Sequence, residues 1–119
     1  MLTDEPPNVV SENGFRDLLD EGYQALVVCQ VDARKNGPQW SGTWIVWALG
    51  GDSRGNRLLV TTRGRSNAIE PREFRTTNGL IGFLRRMGFD PVSIPLGKGS
   101  RAMQGSPAAA GESDRKPSG

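Results

Sequence analysis

The sequence is poor in two residue types that many enzyme active sites use, histidine and cysteine. It contains no histidine and one cysteine, Cys29, in 119 residues. Without histidine there is no Ser-His-Asp triad, no Cys-His pair and no imidazole metal ligand. Cys29 alone cannot form an intramolecular disulfide or a zinc site, and it lies in the apolar run 25–29, where a buried thiol is expected. Residues 97–102 match G-x-G-x-x-A, but no amphipathic helix follows. We therefore expect a protein that is not an enzyme and holds no cofactor or metal.

Long hydrophobic runs are also missing, and hydrophobic residues make up 35% of the chain. No run approaches the roughly 20 apolar residues of a membrane-spanning helix, and no apolar signal segment follows the acidic N-terminus. We expect no membrane partner and a cytoplasmic location. The length predicts one domain. Because both ends are poor in large apolar residues, we place the α+β domain at 11–96, an extended lead-in at 1–10 and a disordered tail at 97–119.

The spacing of the apolar residues predicts a small α+β domain with the element order α-β-β-β-α-β. Phe15 and Leu18 mark one face of a first helix, and Leu80, Phe83 and Leu84 mark one face of a second. Short connections join three predicted strands, which favours an antiparallel meander. A short edge strand completes the sheet, and the two helices pack against it. In chain order the predicted elements are helix 15–21, strands 24–34, 40–49 and 57–62, a helix from about 77 to 87, and an edge strand within 89–96.

Net charge is +2 with a pI of about 9.1, but the charges are unevenly distributed. The first predicted helix is acidic, with Glu12, Asp17, Asp20 and Glu21 against Arg16. The second half of the predicted domain is rich in arginine, opposed by Glu70 and Glu73. Those arginines are Arg54, Arg57, Arg63, Arg65, Arg72, Arg75, Arg85 and Arg86. The sequence therefore predicts one acidic and one basic surface. The preference for arginine over lysine and the Gly, Ala and Pro content of the tail suggest a GC-rich bacterial origin.

Alternation along the third predicted strand indicates which arginines face outward. Leu58, Val60 and Thr62 share one parity, which we assign to the core. Arg57, Arg63 and Arg65 then share the outer parity, and the following loop extends this stripe with Arg72 and Arg75. Guanidinium groups make bidentate contacts with phosphates. The same arrangement also fits a solvated sheet face whose charges discourage aggregation.

The second predicted strand carries all three tryptophans of the chain. Trp40 and Trp44 flank Gly42 on one parity, and Trp47 lies on the other between Ile45 and Leu49. Both parities are equally apolar, so periodicity does not decide which one is the core. Trp40 and Trp44 would suit a platform on which bases stack, each base contributing roughly 1–3 kcal/mol. Equally, all three indoles could be structural.

These features favour a small nucleic-acid-binding accessory protein that contacts single-stranded DNA or RNA. Its predicted site combines the arginine stripe with stacking on Trp40 or Trp44. An alternative is a protein-interaction or regulatory module that self-associates, as a possible homodimer, or that docks on an acidic protein partner.

Overall fold

The structure is a computed structural model that describes residues 8–63 and 68–105. It has the predicted α+β architecture, a mixed β-sheet with two longer helices on one of its faces. The elements in chain order are β1 Val9–Val10, α1 Glu12–Asp20, β2 Gln24–Asn36, β3 Gln39–Leu49, α2 Gly51–Arg54, β4 Asn56–Arg63, β5 Ala68–Pro71, β6 Phe74–Thr76, α3 Thr77–Arg86 and β7 Arg101–Met103.

The two long helices begin and end with the same local chemistry. The Ser11 hydroxyl accepts a hydrogen bond from the amide of Gly14 at the start of α1, and Thr76 does the same for Gly79 at the start of α3. Each helix is followed by a glycine with positive φ, which is Gly22 at 99° and Gly88 at 100°. A buried aromatic residue follows each glycine, and its amide bonds back to the helix. This is a Schellman cap, and it turns the chain from each helix back toward the core.

The strands are ordered β1-β4-β3-β2-β7 across the sheet. The antiparallel meander of β2, β3 and β4 is confirmed. Two short strands flank it: β1 pairs parallel with β4, and β7 pairs antiparallel with β2. Two further strands, β5 and β6, pair with β4 and β3 and lie between the third predicted strand and the second predicted helix, where the sequence predicts a loop.

The predicted edge strand within 89–96 is wrong. Those residues form no strand, and the edge of β2 is covered instead by β7, inside the predicted tail. The prolines at 91 and 95 explain the difference, because proline has no amide proton to donate to a strand ladder. The predicted lead-in likewise contains a strand, β1. Residues 106–119 of the predicted tail and residues 1–7 of the lead-in lie outside the described part of the chain.

The hydrophobic core lies between one face of the sheet and helices α1 and α3. The largest side chains in it are Trp44, Phe15, Phe83 and Phe89, each with 0% exposure. The predicted parity of the third strand places Val60 correctly among the buried residues, at 7% exposure, but it is wrong for the core between the sheet and the helices. Leu59 is fully buried in the core, whereas Leu58 is half-buried on the other face of the sheet. Alternation separates the two faces of a strand, but it does not show which face the helices cover.

Candidate interaction surfaces

The predicted arginine stripe on β4 does not form an exposed row among the described residues. Arg57 lies opposite Ala48 on the helix-facing side, and its Nε is buried without a hydrogen-bond partner among those residues. The position of Leu59 explains the difference, because residues two apart on a strand share one face. Arg63 ends β4, but its side chain lies outside the described part, as does the whole of Arg65.

Arg72 makes contacts within the fold. Its guanidinium forms an ion pair with Glu12 at 3.2 Å and lies 4.7 Å from the centre of the Phe74 ring. The second Glu12 oxygen is 3.5 Å from Arg86. One carboxylate at the start of α1 therefore binds two of the arginines that the sequence predicts to form a basic surface. The predicted acidic and basic regions partly neutralise each other inside one molecule.

Three other arginines also form ion pairs or hydrogen bonds with nearby carboxylates and backbone carbonyls. Arg75 pairs with Glu73 at 2.9 Å, although its side chain stays 70% exposed. Arg54 donates to the carbonyl of Glu21 at 2.8 Å and lies 4.7 Å from the Tyr23 ring centre. Arg85 donates to the carbonyl of Phe89 and lies 3.5 Å from Asp90. Exposed ion pairs of this kind contribute little stability, typically under about 1 kcal/mol.

The three tryptophans occupy three different environments. Trp44 is fully buried, and its indole Nε1 donates to the carbonyl of Pro95 at 2.7 Å. The prediction that Trp44 is available for base stacking is therefore wrong. Trp40, near the turn between β2 and β3, is 41% exposed, as a stacking role requires. Trp47 is half-buried on the face of the sheet that points away from the helices.

That outward face is the main feature that the sequence does not resolve. Trp47 lies opposite Leu26 on β2 and Leu58 on β4, and Leu26 in turn lies opposite Met103 on β7. We call this the open sheet face, and its apolar members are Leu26, Val28, Ile45, Trp47, Leu49, Leu58, Val60 and Met103. Ile45 and Val60 are buried among their neighbours, Met103 is exposed, and the others are half-buried. Helices α1 and α3 both pack on the other side. The signal is present in the sequence, because residues 25–29 and 44–49 are apolar on both parities.

A groove of about 440 Å³ runs over the open sheet face. It is lined by Leu26, Val28, Trp47, Leu49, Asn56 and Arg101. None of these lining residues is acidic, and Arg101, opposite Val28 in the β2–β7 register, forms no ion pair with the described residues. The groove thus combines an apolar floor with one cation and one amide.

A second group of cations lies along the outer edge of β2, at its hairpin end. Arg34 and Lys35 belong to β2, and Lys98 lies beside it because its amide donates to the Asp32 carboxylate at 2.6 Å. We call these three the edge cations. All three are exposed and, within residues 8–63 and 68–105, none forms an ion pair.

Cys29 is buried in the core, where its thiol donates to the carbonyl of Val31 at 3.2 Å. Desolvation by burial raises the pKa of this thiol above its ordinary value of 9.0, so the reactive thiolate is disfavoured. In the described part of the chain, His, Cys, Asp and Glu side chains form no group of three or more that would hold a metal ion. No helix of that part is long and apolar enough to cross a membrane.

No family model matches the sequence, and neither curated proteins nor solved structures show a significant similarity to it.

Proposed function

We propose that this α+β protein is a protein-interaction module whose open sheet face binds an apolar, acidic segment of another protein. The observation that supports this most is that the sheet is apolar on both faces while helices α1 and α3 cover one. An antiparallel sheet with one solvated face normally alternates apolar and polar residues. Contiguous apolar surface rimmed by polar groups is typical of protein-binding sites.

The composition of the groove favours a protein ligand. Trp47 lies between Leu26 and Leu58, so the groove has a central aromatic residue surrounded by aliphatic neighbours. Tryptophan is enriched among the residues that dominate binding energy, and its truncation typically costs about 2 kcal/mol or more. Single-stranded nucleic acid usually binds to a continuous cationic track with aromatic side chains beside it. This groove is lined by one aromatic residue and one arginine.

The charge of the groove indicates which kind of protein partner it would bind. Arg101 is the charged residue among those that line the groove. A partner with a carboxylate next to its apolar side chains would pair with this guanidinium as well as cover the leucines and Trp47. A second copy of the chain would present the same acid-free groove to itself. Charge complementarity therefore favours an acidic partner over a homodimer.

Selection from a random peptide library tests the proposal, because such a library samples apolar, acidic and basic segments alike. The immobilised protein is used for selection, with depletion on the Trp47→Lys variant at every round. We expect the enriched peptides to combine leucine-like or aromatic residues with Asp or Glu. Their affinity should fall at least about 30-fold with Trp47→Lys, the equivalent of about 2 kcal/mol. Arg101→Ala should weaken the acidic peptides more than their amide analogues.

The matched control is Trp40→Lys, which makes the same change at an exposed indole outside the groove. It should leave peptide binding unchanged, and emission from the buried Trp44 should report an intact fold in both variants. Failure to enrich peptides, or enrichment of basic peptides, would count against the proposal. Analytical ultracentrifugation gives a separate check, since a dimer that Trp47→Lys abolishes would show that a second copy occupies the face.

A further inference from the structure

We propose that the hairpin end of β2 forms a second, independent binding surface for single-stranded nucleic acid. It consists of the edge cations Arg34, Lys35 and Lys98 together with Trp40. The surface differs from the predicted arginine stripe, and it lies outside the residues that line the groove. The two proposals therefore succeed or fail separately.

The backbone arrangement brings these three residues together along one edge of β2. Residues 96–104 run antiparallel along the outer edge of β2, since Ala33 donates to the carbonyl of Leu96, Gly99 to that of Cys29 and Gln104 to that of Ala25. Lys98 is thereby held beside Asp32, with Arg34 and Lys35 next along the strand. At about 3.3 Å per residue, the distance from Asp32 to Lys35 is roughly 10 Å along the edge. Arg34 and Lys35 leave the strand on opposite faces, so a single strand that binds along this edge would be contacted by cations from both sides.

The edge cations differ from the arginines of the predicted stripe because they form no ion pair with the described residues. The stripe members Arg72 and Arg75 are engaged by Glu12 and Glu73. The edge cations have no such partner among the described residues. The acidic residue closest to them in the chain is Asp32, whose Oδ1 accepts the Lys98 backbone amide. Ligand phosphates would consequently not have to displace an internal carboxylate.

Trp40 supplies the contact that favours single strands over duplexes. It lies opposite Lys35 in the β2–β3 register and is 41% exposed. An exposed indole beside a cation allows a base to stack while its phosphate is neutralised. In a duplex the faces of the bases are already stacked on one another, so this indole has no equivalent contact along the helix.

Fluorescence anisotropy of a labelled 15-nucleotide oligo(dT), titrated with the full chain at several salt concentrations, tests the surface. Contact with three phosphates predicts a slope of log affinity against log salt of about −2, from about −0.7 per phosphate on single strands. The triple variant Arg34→Ala, Lys35→Ala, Lys98→Ala should bring this slope close to zero. Trp40→Ala should weaken binding by about 5- to 150-fold, the range for one stacked base.

The matched control is Arg16→Ala, Arg75→Ala, Arg85→Ala, which removes the same charge from exposed positions elsewhere. Its slope should equal that of the wild type. The proposal would be overturned if the two triple variants lost oligonucleotide affinity equally, or if the protein did not bind the oligonucleotide at low salt. Binding of poly-L-glutamate as tight as that of the oligonucleotide would overturn it too. Loss of oligonucleotide binding in Trp47→Lys would also overturn it, because the groove would then be the nucleic-acid site. Thermal unfolding midpoints close to that of the wild type would show that the variants fold.

Discussion

Substitution of Gln104 should destabilise the fold far more than its position in the predicted tail suggests. Gln104 is 2% exposed and makes three side-chain hydrogen bonds to backbone groups. Its Oε1 accepts from the Ser93 amide at 2.7 Å, and its Nε2 donates to the carbonyls of Ser93 at 2.7 Å and Ala102 at 3.2 Å. This one side chain thus fastens the proline-containing segment 91–95 to β7.

The expected cost of Gln104→Ala follows from these contacts. Each hydrogen bond contributes about 1 kcal/mol net, and the backbone partners left behind lose their solvation as well as their bond. Ser93 is exposed, so water can reach part of the vacated site. We expect a loss of about 2–4 kcal/mol, a large share of the roughly 5–15 kcal/mol that stabilises a domain. Gln104→Met keeps most of the volume, and its smaller loss would isolate the hydrogen-bond contribution.

Urea unfolding at 25 °C, followed by tryptophan emission, measures these differences directly. In thermal unfolding the Ala variant should melt at least about 8 °C lower, at about 4 °C per kcal/mol for a domain of this size. The exposed Gln30→Ala is the matched control and should stay within about 0.5 kcal/mol of the wild type. A decrease in the free energy of unfolding below about 0.5 kcal/mol in Gln104→Ala would refute the reasoning. The Gln104 side chain would then contribute no more to stability than a surface residue.

Three further predictions concern the helix caps, the thiol and the shared carboxylate. Ser11→Ala and Thr76→Ala should each lower the free energy of unfolding by about 1 kcal/mol, whereas Ser11→Asp keeps a capping acceptor and should stay close to the wild type in the same urea assay. The pKa of the Cys29 thiol is raised in the folded state, so the stability that the protonated thiol contributes is complete below pH 9.0 and is lost as the pH rises toward the pKa of the folded state. Cys29→Ala should therefore flatten the alkaline decline of the free energy of unfolding, measured by urea unfolding at several pH values. Glu12→Gln should cost under about 1 kcal/mol, and the difference should shrink in 1 M salt, where charges are screened within about 3 Å.

Local chemistry explains which parts of the fold are predictable from the sequence. The apolar stripes of α1 and α3 and the three long strands are encoded within short windows, and all of them form as predicted. The strands β1 and β7 contain two and three residues, and their pairing depends on partners far away in the chain. No local periodicity marks segments that short. Alternation is visible instead at Val92 and Ile94, which is why the sequence predicts the edge strand there.

The candidate sites are less predictable, because they depend on which face of the sheet the helices cover. Trp44 and Trp47 have equally apolar neighbours, and tertiary packing buries the first while it leaves the second on the open sheet face. The arginines of the second half are evident in the sequence, but their binding to Glu12 across the fold is not. Arg34 and Lys35 form a smaller cluster in the sequence, although they remain free of ion pairs within the described chain.

The two short strands also determine how the meander is shielded from other chains. Each covers an edge whose backbone amides and carbonyls would otherwise be free to pair with a neighbouring molecule. Strands of two or three residues have few hydrogen bonds, and such segments open locally at lower free energy than the core. Aggregation of this protein should consequently be governed by opening of β1 or β7 while the core stays folded. Hydrogen exchange would detect this opening first at Leu58, whose amide donates to the carbonyl of Asn8 beside β1, and at Cys29, whose amide donates to the carbonyl of Ser100 beside β7.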